Sequence, residues 1–209
     1  IRTAPWPRWP VYDETDRARL LEAFESGVWG VRGEHKPALE QAWSAAHGTS
    51  YAVACCNGTI GLQIALLAAG VEPGDEVITT SYTFMATALA VMAVGAVPVL
   101  VDVVPETHNI DPNAVEAAIG ARTRCILPVH IGGRPADMDR LLAIAKRHEL
   151  VVVEDACQAW LARWRDEPVG ALGAAGMFSF QSSKNLTAGE GGVVVTNDEA
   201  RCQSASSLV

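Results

Sequence analysis

The hydrophobic residues of this chain fall into short apolar runs that alternate with longer stretches of helical spacing. Seven such runs, rich in β-branched residues, lie at 51–56, 76–80, 97–103, 123–130, 150–155, 176–180 and 191–198. Strands that are apolar on both sides belong to parallel sheets covered by helices, because neither face meets solvent. The pattern therefore predicts an α/β fold with a mostly parallel seven-stranded sheet and helices on both faces.

The N-terminal segment has a different pattern. Residues 1–11 are rich in Pro and Trp, and each proline fixes φ and removes a backbone donor, so we predict an extended arm there. A helical pattern then begins at Asp13, places Leu20, Leu21 and Phe24 on one face, and ends at Gly27. A second amphipathic stretch covers 37–47. Because one large core is typical of this length, we predict a single domain over 12–209.

Composition narrows the classes of function. Hydrophobic residues make up 49% and charged residues 19%, as in soluble globular proteins. The net charge is −8 without a block of like charges, so nucleic acid is not an expected partner. No apolar run approaches the roughly 18 residues that span a bilayer, and the start lacks a signal-peptide pattern, so a cytoplasmic location and no membrane partner are the default expectations.

The cysteines do not indicate a metal site or a disulfide framework. Their number is odd, and none are spaced CxxC. We expect no bound metal and interpret them as small buried hydrophobes. The five are Cys55, Cys56, Cys125, Cys157 and Cys202.

Polar residues follow several apolar runs at the point where each predicted strand ends. In open parallel sheets, ligands bind beyond the carboxyl ends of the strands. We therefore expect these residues near a shared pocket: Asn57, Ser81 to Thr83, His130, Asp155 and Lys184.

Lys184 differs from the other two lysines. Lys36 and Lys146 have charged neighbours in helical stretches, whereas Lys184 follows the run MFSF and precedes a glycine-rich loop. A glycine-rich backbone can approach a ligand closely, and an amine shielded from water can attack a carbonyl carbon to form an imine. The alternative is an ordinary surface lysine on a loop.

The run LVVVED ends in two carboxylates on opposite faces of a strand, Glu154 and Asp155. One of them should reach the pocket, while the other caps or pairs. Either could be structural. A buried carboxylate needs a cationic or donor partner, and a protonated pyridine nitrogen is one such partner.

Two further segments have both a functional and a plain structural interpretation. In NGTIGL, the amides of Gly58 and Thr59 lie at a predicted helix N-terminus, which favours a phosphate, although Asn-Gly-Thr is also an ordinary turn and N-cap. Phe84 in SYTFMATA could cover an aromatic ring or could pack in the core.

Five segments together resemble the DegT/DnrJ/EryC1/StrS sugar aminotransferases, which are fold type I enzymes dependent on pyridoxal 5′-phosphate (PLP). The resemblance covers nearly the whole chain, in the order and approximate spacing of the family. Its segments are NGTIGLQIAL, SYTFMATA, PVHIGGRPADMD, EDACQA and FSFQSSKNLTAGEGG.

The resemblance implies a role for each matching residue. Lys184 would form the Schiff base with PLP and be the catalytic residue. Asp155 would bind the pyridine nitrogen and Gln158 would approach the 3-hydroxyl. Phe84 would stack on the ring. The phosphate would be held by Gly58, Thr59 and Ser179. Trp29 and His130 either line the substrate pocket or serve in packing.

The implied reaction is a ping-pong transamination from glutamate or glutamine to a keto group on a nucleotide-linked sugar or a keto-cyclitol, as in aminocyclitol and antibiotic biosynthesis. A homodimer is expected by resemblance. The arm WPRWPVYD looks like the cyclitol and aminohydroxybenzoate side of the family. Some family dehydratases carry histidine at the Schiff-base position, so Lys184 favours transamination.

Two departures from the family keep alternatives open. Family members often have His-Gly where this chain has Trp160 and Leu161. The family also has a C-terminal small domain, which we expect to be absent from this chain; the chain starts with Ile and ends in SASSLV, as a fragment would. A non-catalytic PLP-fold binding or regulatory protein is therefore a second hypothesis, and another fold type I enzyme, such as a lyase, is a third.

Overall fold

The computed structural model describes residues 3–5, 9–30 and 32–209. Part of the predicted N-terminal arm lies outside these residues, and its described residues are neither helix nor strand. The chain divides into two compact units, Ile1–Leu39 and Glu40–Val209. We predicted one domain from residue 12; the larger compact unit begins at Glu40.

The smaller unit contains the predicted first helix, α1, over Glu14–Glu25. Asp13 starts it, because its carboxylate accepts from the amide of Asp16 while the Asp16 carboxylate accepts from the amide of Asp13. This reciprocal capping box satisfies two amides that the first helical turn leaves without partners. Helix α2 follows over His35–His47, close to the predicted stretch.

The larger unit is built on the predicted seven-stranded sheet. Its strands are β1 (Tyr51–Cys55), β2 (Glu76–Thr80), β3 (Val97–Val101), β4 (Thr123–Leu127), β5 (Val151–Asp155), β8 (Ala175–Ser179) and β9 (Gly192–Thr196). A separate two-stranded ribbon, β6 (Arg163–Trp164) with β7 (Glu167–Pro168), was not predicted. The order across the sheet is β1-β9-β8-β5-β4-β2-β3, and only β9 runs against its neighbours. The predicted fold class is confirmed.

Helices cover both faces of the sheet. They are α3 (Gly58–Ala68), α4 (Ala86–Ala93), α5 (Pro112–Ala118), α6 (Met138–Arg147) and α7 (Glu199–Ser206). Successive residues of one strand enter different cores: Val77 packs with residues of α3, α4 and α7, whereas Ile78 packs with residues of α5 and α6. Because side chains alternate across a strand, these two cores lie on opposite faces.

This topology sets the position of the candidate site. Strands β1, β2, β5 and β8 run in the same direction, so their carboxyl ends meet at one edge of the sheet. The residues that follow these strands are therefore brought together from distant parts of the sequence.

Candidate active site

A cavity of about 490 Å³ opens at the carboxyl edge of the sheet. Its volume is within the range of small-molecule sites. The structure brings together there all seven residues that the sequence assigned to a cofactor: Gly58, Thr59, Phe84, Asp155, Gln158, Ser179 and Lys184. Other lining residues were not assigned a role from sequence, among them Thr87, Cys157 and Glu190.

One group of lining residues is suited to an anion. Asn57 caps α3 by accepting from the amide of Ile60, and within the described residues the amides of Gly58 and Thr59 donate to no partner. A Cβ added at Gly58 would lie 2.9 Å from the Cβ of Ser179 and 3.2 Å from its Oγ. The Ser179 hydroxyl is therefore adjacent to the free helix amides, and together these donors form an anion-binding group.

The cavity lining also includes a buried carboxylate. Asp155 ends β5 and is 5% exposed. Its Oδ1 accepts from the amide of Cys157 at 3.2 Å, and its Oδ2 accepts from the hydroxyl of Thr87 at 2.8 Å. Among the described residues, no lysine or arginine forms an ion pair with it. A cavity-facing carboxylate that lacks a protein cation suits a ligand with a protonated nitrogen.

Glu154 is the structural member of the carboxylate pair. It is fully buried on the opposite face of β5 and accepts from the amides of Gly170 (2.7 Å), Leu172 (2.9 Å) and Gly173 (2.6 Å). The sequence left open which of the two carboxylates reaches the pocket. The structure shows that it is Asp155.

His130 does not lie where a substrate contact was expected. Its side chain is fully buried, its Nε2 lies 3.0 Å from the Glu154 carboxylate, and its Nδ1 accepts from the amide of Ala136. An Nδ1 that accepts is unprotonated, so Nε2 carries the proton and donates to Glu154. Both ring nitrogens are engaged inside the protein, away from the cavity wall, as in the packing interpretation.

The orientation of Gln158 follows from one contact. Its Oε1 accepts from the amide of Gly132 at 2.8 Å. Because a backbone N–H can only donate, the oxygen must be the atom at this contact, which leaves the NH₂ group of Gln158 available as a donor. The side chain lines the cavity and can therefore donate to an oxygen of a bound ligand.

Lys184 lies in the loop after β8. Its amide donates to the carbonyl of Gln181, and the loop is closed further on, where the hydroxyl of Thr187 and the amide of Ala188 donate to the carbonyl of Phe180. Among the described residues no carboxylate lies within ion-pair distance of its amine. An amine that lines a cavity without a salt-bridge partner is available for covalent chemistry.

Cys157 also lines the cavity, and its backbone amide donates to Asp155. Burial, followed by the nearby Asp155 carboxylate, raises the pKa of its thiol well above the ordinary value of 9.0, while Lys184 acts in the opposite direction. The thiol therefore stays protonated and is not a candidate nucleophile.

The remaining aromatic predictions have different outcomes. Phe84 is 67% exposed at the cavity wall, so the core interpretation is wrong for it. Trp29 belongs to the smaller unit, where it stacks on Phe24 at 5.5 Å, and its substrate role stays a prediction. Trp160 packs with the cluster around Trp43, so it is not part of the cavity wall.

The exposure of the cysteines agrees only in part with the predicted burial. Cys125 is buried as predicted, whereas Cys55, Cys157 and Cys202 are only partly buried. Cys56, the residue after β1, is exposed. In the described part of the chain, no group of three or more metal-ligating side chains is present, and no helix is long and apolar enough to cross a membrane.

The sequence of this chain matches a known protein family over nearly its whole length. Residues 10–209 match the DegT/DnrJ/EryC1/StrS aminotransferase family. The chain is 45% identical over 204 residues to the L-glutamine:2-deoxy-scyllo-inosose aminotransferase of Streptomyces fradiae, covering 95% of this chain and 48% of that protein. It spans about half the length of the curated relatives it matches.

The fold of this chain is also similar to the folds of solved structures. The crystal structure of 3-amino-5-hydroxybenzoic acid (AHBA) synthase is similar with a TM-score of 0.93 at 42% identity, covering 98% of this chain and 54% of that one. NtdA from Bacillus subtilis, solved with bound cofactor PMP, is similar with a TM-score of 0.86 at 36% identity, covering 92% of this chain and 43% of that one.

Proposed function

Because the chain belongs to the DegT/DnrJ/EryC1/StrS aminotransferase family, as its motifs predicted, we propose that it catalyses a PLP-dependent transfer of an amino group to a keto group on a ring. One observation supports this most directly. A single cavity combines an anion-binding helix N-terminus, a buried carboxylate without a protein cation, and a lysine without a salt-bridge partner. These groups complement the phosphate, the ring nitrogen and the aldehyde of PLP.

Each residue would hold one part of the cofactor. The amides of Gly58 and Thr59 and the hydroxyl of Ser179 would donate to the phosphate. Asp155 would accept from the ring nitrogen, and the free NH₂ group of Gln158 would donate to the 3-hydroxyl oxygen. The exposed ring of Phe84 would cover one face. Bound PLP would supply an electron sink for breaking bonds at the amino-bearing carbon.

Lys184 would act twice. Its amine would first link covalently to the cofactor and so retain it in the cavity. Once displaced by the amino donor, the free amine would remove a proton from the donor's Cα and deliver it to the cofactor's C4′. Water would then release the donor's carbon skeleton as a 2-oxo acid, while its amino group would stay on the cofactor. The second half-reaction would reverse these steps with the keto acceptor, which makes the cycle ping-pong.

The names of relatives support a choice among donors and acceptors. The Streptomyces fradiae relative is named for L-glutamine and 2-deoxy-scyllo-inosose, a keto-cyclitol. We therefore place glutamine before glutamate as the donor, and a keto-cyclitol before a nucleotide-linked keto-sugar as the acceptor. An aminocyclitol biosynthetic role follows from that choice.

A homodimer is part of the same proposal. Apolar side chains at the N-cap of α4 and along it are exposed and recur at helical spacing, which puts them on one side of the helix: Met85 (68%), Leu89 (47%) and Met92 (58%). A contiguous apolar surface supports association with a second copy. Light scattering coupled to size-exclusion chromatography should give twice the chain mass, and a monomer at all concentrations would refute this part.

The experiment that tests the function starts from the apoprotein and PLP. The full chain should develop a visible absorption band of lysine-bound cofactor, and Lys184→Ala should not. Lys146→Ala, which changes an exposed lysine on α6, should behave like the parent. If Lys184→Ala still shows the band, the assignment is wrong.

The acceptor is tested in the same spectrometer. Glutamine should bleach the band of the parent protein, and a keto-cyclitol should restore it faster than a nucleotide-linked keto-sugar does. If glutamine and glutamate both leave the band unchanged, the aminotransferase proposal fails, and a non-catalytic PLP-binding protein becomes the better interpretation.

A further inference from the structure

We propose that Thr87 is a positioning residue that holds the Asp155 carboxylate in place for the ring nitrogen of the cofactor. This inference rests on the proposed function and adds a residue to which the sequence assigned no role. Thr87 lies in the first turn of α4, 68 positions before Asp155 in the chain, and its side chain is 1% exposed.

The geometry fixes the carboxylate plane from both sides. The Thr87 hydroxyl donates to Oδ2 at 2.8 Å, and the Cys157 amide donates to Oδ1 at 3.2 Å. With one donor on each oxygen, rotation of the carboxylate would break at least one hydrogen bond. Cys157 contributes this contact through its backbone, so the contact on Oδ2 is the one that a side-chain substitution can remove.

A second threonine determines the direction of the contact. The Oγ1 of Thr83 lies 2.9 Å from the Oγ1 of Thr87. A hydroxyl has one proton, and a carboxylate only accepts, so Thr87 must donate to Asp155 and Thr83 must donate to Thr87. Thr83 lies in the bend before α4, two residues before its N-cap Met85, whereas Thr87 lies in the first turn of the helix. The result is a directed chain of hydrogen bonds from the cavity wall to the carboxylate.

We expect the Thr87 hydroxyl to act through its hydrogen bond to Asp155 and not only through its volume. Valine has nearly the same shape as threonine but cannot donate, and serine can donate but lacks the methyl group. If Thr87 acts through its hydrogen bond, Thr87→Ser should keep the function and Thr87→Val should lose it. If Thr87 acts only by packing, the reverse order is expected.

Thr79 provides a matched control. Thr79 is fully buried in strand β2. Its hydroxyl donates at 2.7 Å to the carbonyl of Leu127, outside the cavity. Thr79→Val removes the same atoms from an equally buried site. It should lower the stability of the fold without a specific effect on the cofactor.

The test measures the apparent Kd for PLP by equilibrium dialysis against the full apoprotein, with the 1-deaza analogue of PLP as a second ligand. The analogue has carbon in place of the ring nitrogen. We expect Thr87→Val to bind PLP roughly tenfold more weakly than the parent, as for loss of one hydrogen bond to a charged group. We expect no difference between the two proteins for the analogue, and parent-like PLP binding by Thr87→Ser and Thr79→Val.

The outcomes separate this inference from the proposed function. If the parent binds PLP but Thr87→Val binds it equally well, or loses the same factor for the analogue, Thr87 does not act through the ring nitrogen. If the parent does not bind PLP at all, the proposed function and this inference both fail. Should Thr87→Val not fold, Thr83→Val provides the second measurement, with the same dependence on the ring nitrogen and a smaller effect.

Discussion

The substitution Glu154→Gln tests the most heavily hydrogen-bonded carboxylate in the described structure. Its Oε1 accepts from the amides of Leu172 and Gly173, and its Oε2 accepts from the amide of Gly170 and from Nε2 of His130. Glutamine has almost the same shape, but one of its terminal groups is an NH₂. Whichever way the amide turns, this NH₂ meets two donors.

His130 cannot relieve the conflict by moving its proton. Its Nδ1 accepts from the amide of Ala136 at 3.1 Å, so a proton on Nδ1 would face another N–H. Two hydrogen bonds to a charged acceptor are therefore lost, and two others are weakened. At the usual value for such bonds, the free energy of unfolding should fall by about 3–5 kcal/mol. That is a large part of the stability of an ordinary domain.

The assay is urea unfolding of the full chain, with Glu76→Gln as the matched control. The Glu76 carboxylate pairs with Arg122 at 2.6 Å, but the arginine side chain is 69% exposed, so the loss should be at most about 1 kcal/mol. If Glu154→Gln destabilises the protein no more than Glu76→Gln does, the hydrogen bonds from the segment 170–173 to Glu154 do not stabilise the fold as proposed.

Three further predictions follow. Burial lowers the pKa of His47 below its ordinary 6.5, so the unfolded chain takes up the proton first; the free energy of unfolding should fall below about pH 6.5 by up to about 1.4 kcal/mol per pH unit. His47→Phe should flatten this part of a urea-derived pH profile, and an unchanged slope would contradict the assignment. Burial raises the pKa of Cys125 to about 12, so iodoacetamide at about pH 8 should modify exposed Cys56 and spare Cys125 in peptide mass spectra; equal labelling would refute this. Gly58→Ala would place a methyl group 2.9 Å from the Cβ of Ser179, so the PLP Kd in dialysis should rise roughly tenfold, and parent-like binding would argue against a phosphate there.

Much of the fold could be predicted from local pattern. The seven apolar runs became the seven strands of the main sheet, because a strand buried on both faces must be apolar along its length. The ribbon of β6 and β7 was missed, since strands of two residues are too short to show a period. The division at Glu40 also gave no signal in the sequence.

The cofactor residues could be located in sequence because parallel strands place their carboxyl ends at one edge. That rule put Asn57, Asp155 and Lys184 near a common cavity, which all three line. Gly58 was predicted from a helix N-terminus instead, and Ser179 from the family resemblance. The rule was sufficient for Asp155 and Lys184 because Asp155 is the last residue of β5 and Lys184 lies in the loop after β8.

Other assignments depended on contacts between segments far apart in the chain. Glu154 and Asp155 are neighbours in sequence, and the choice between them required knowing what each face of β5 packs against. His130 follows a strand as a ligand would, yet its ring turns inward to Glu154. Thr87 looks like an ordinary helical threonine until α4 is packed beside β5. Local pattern gives the positions of residues along the chain, whereas the direction of a side chain and its partner depend on which distant segment lies opposite it.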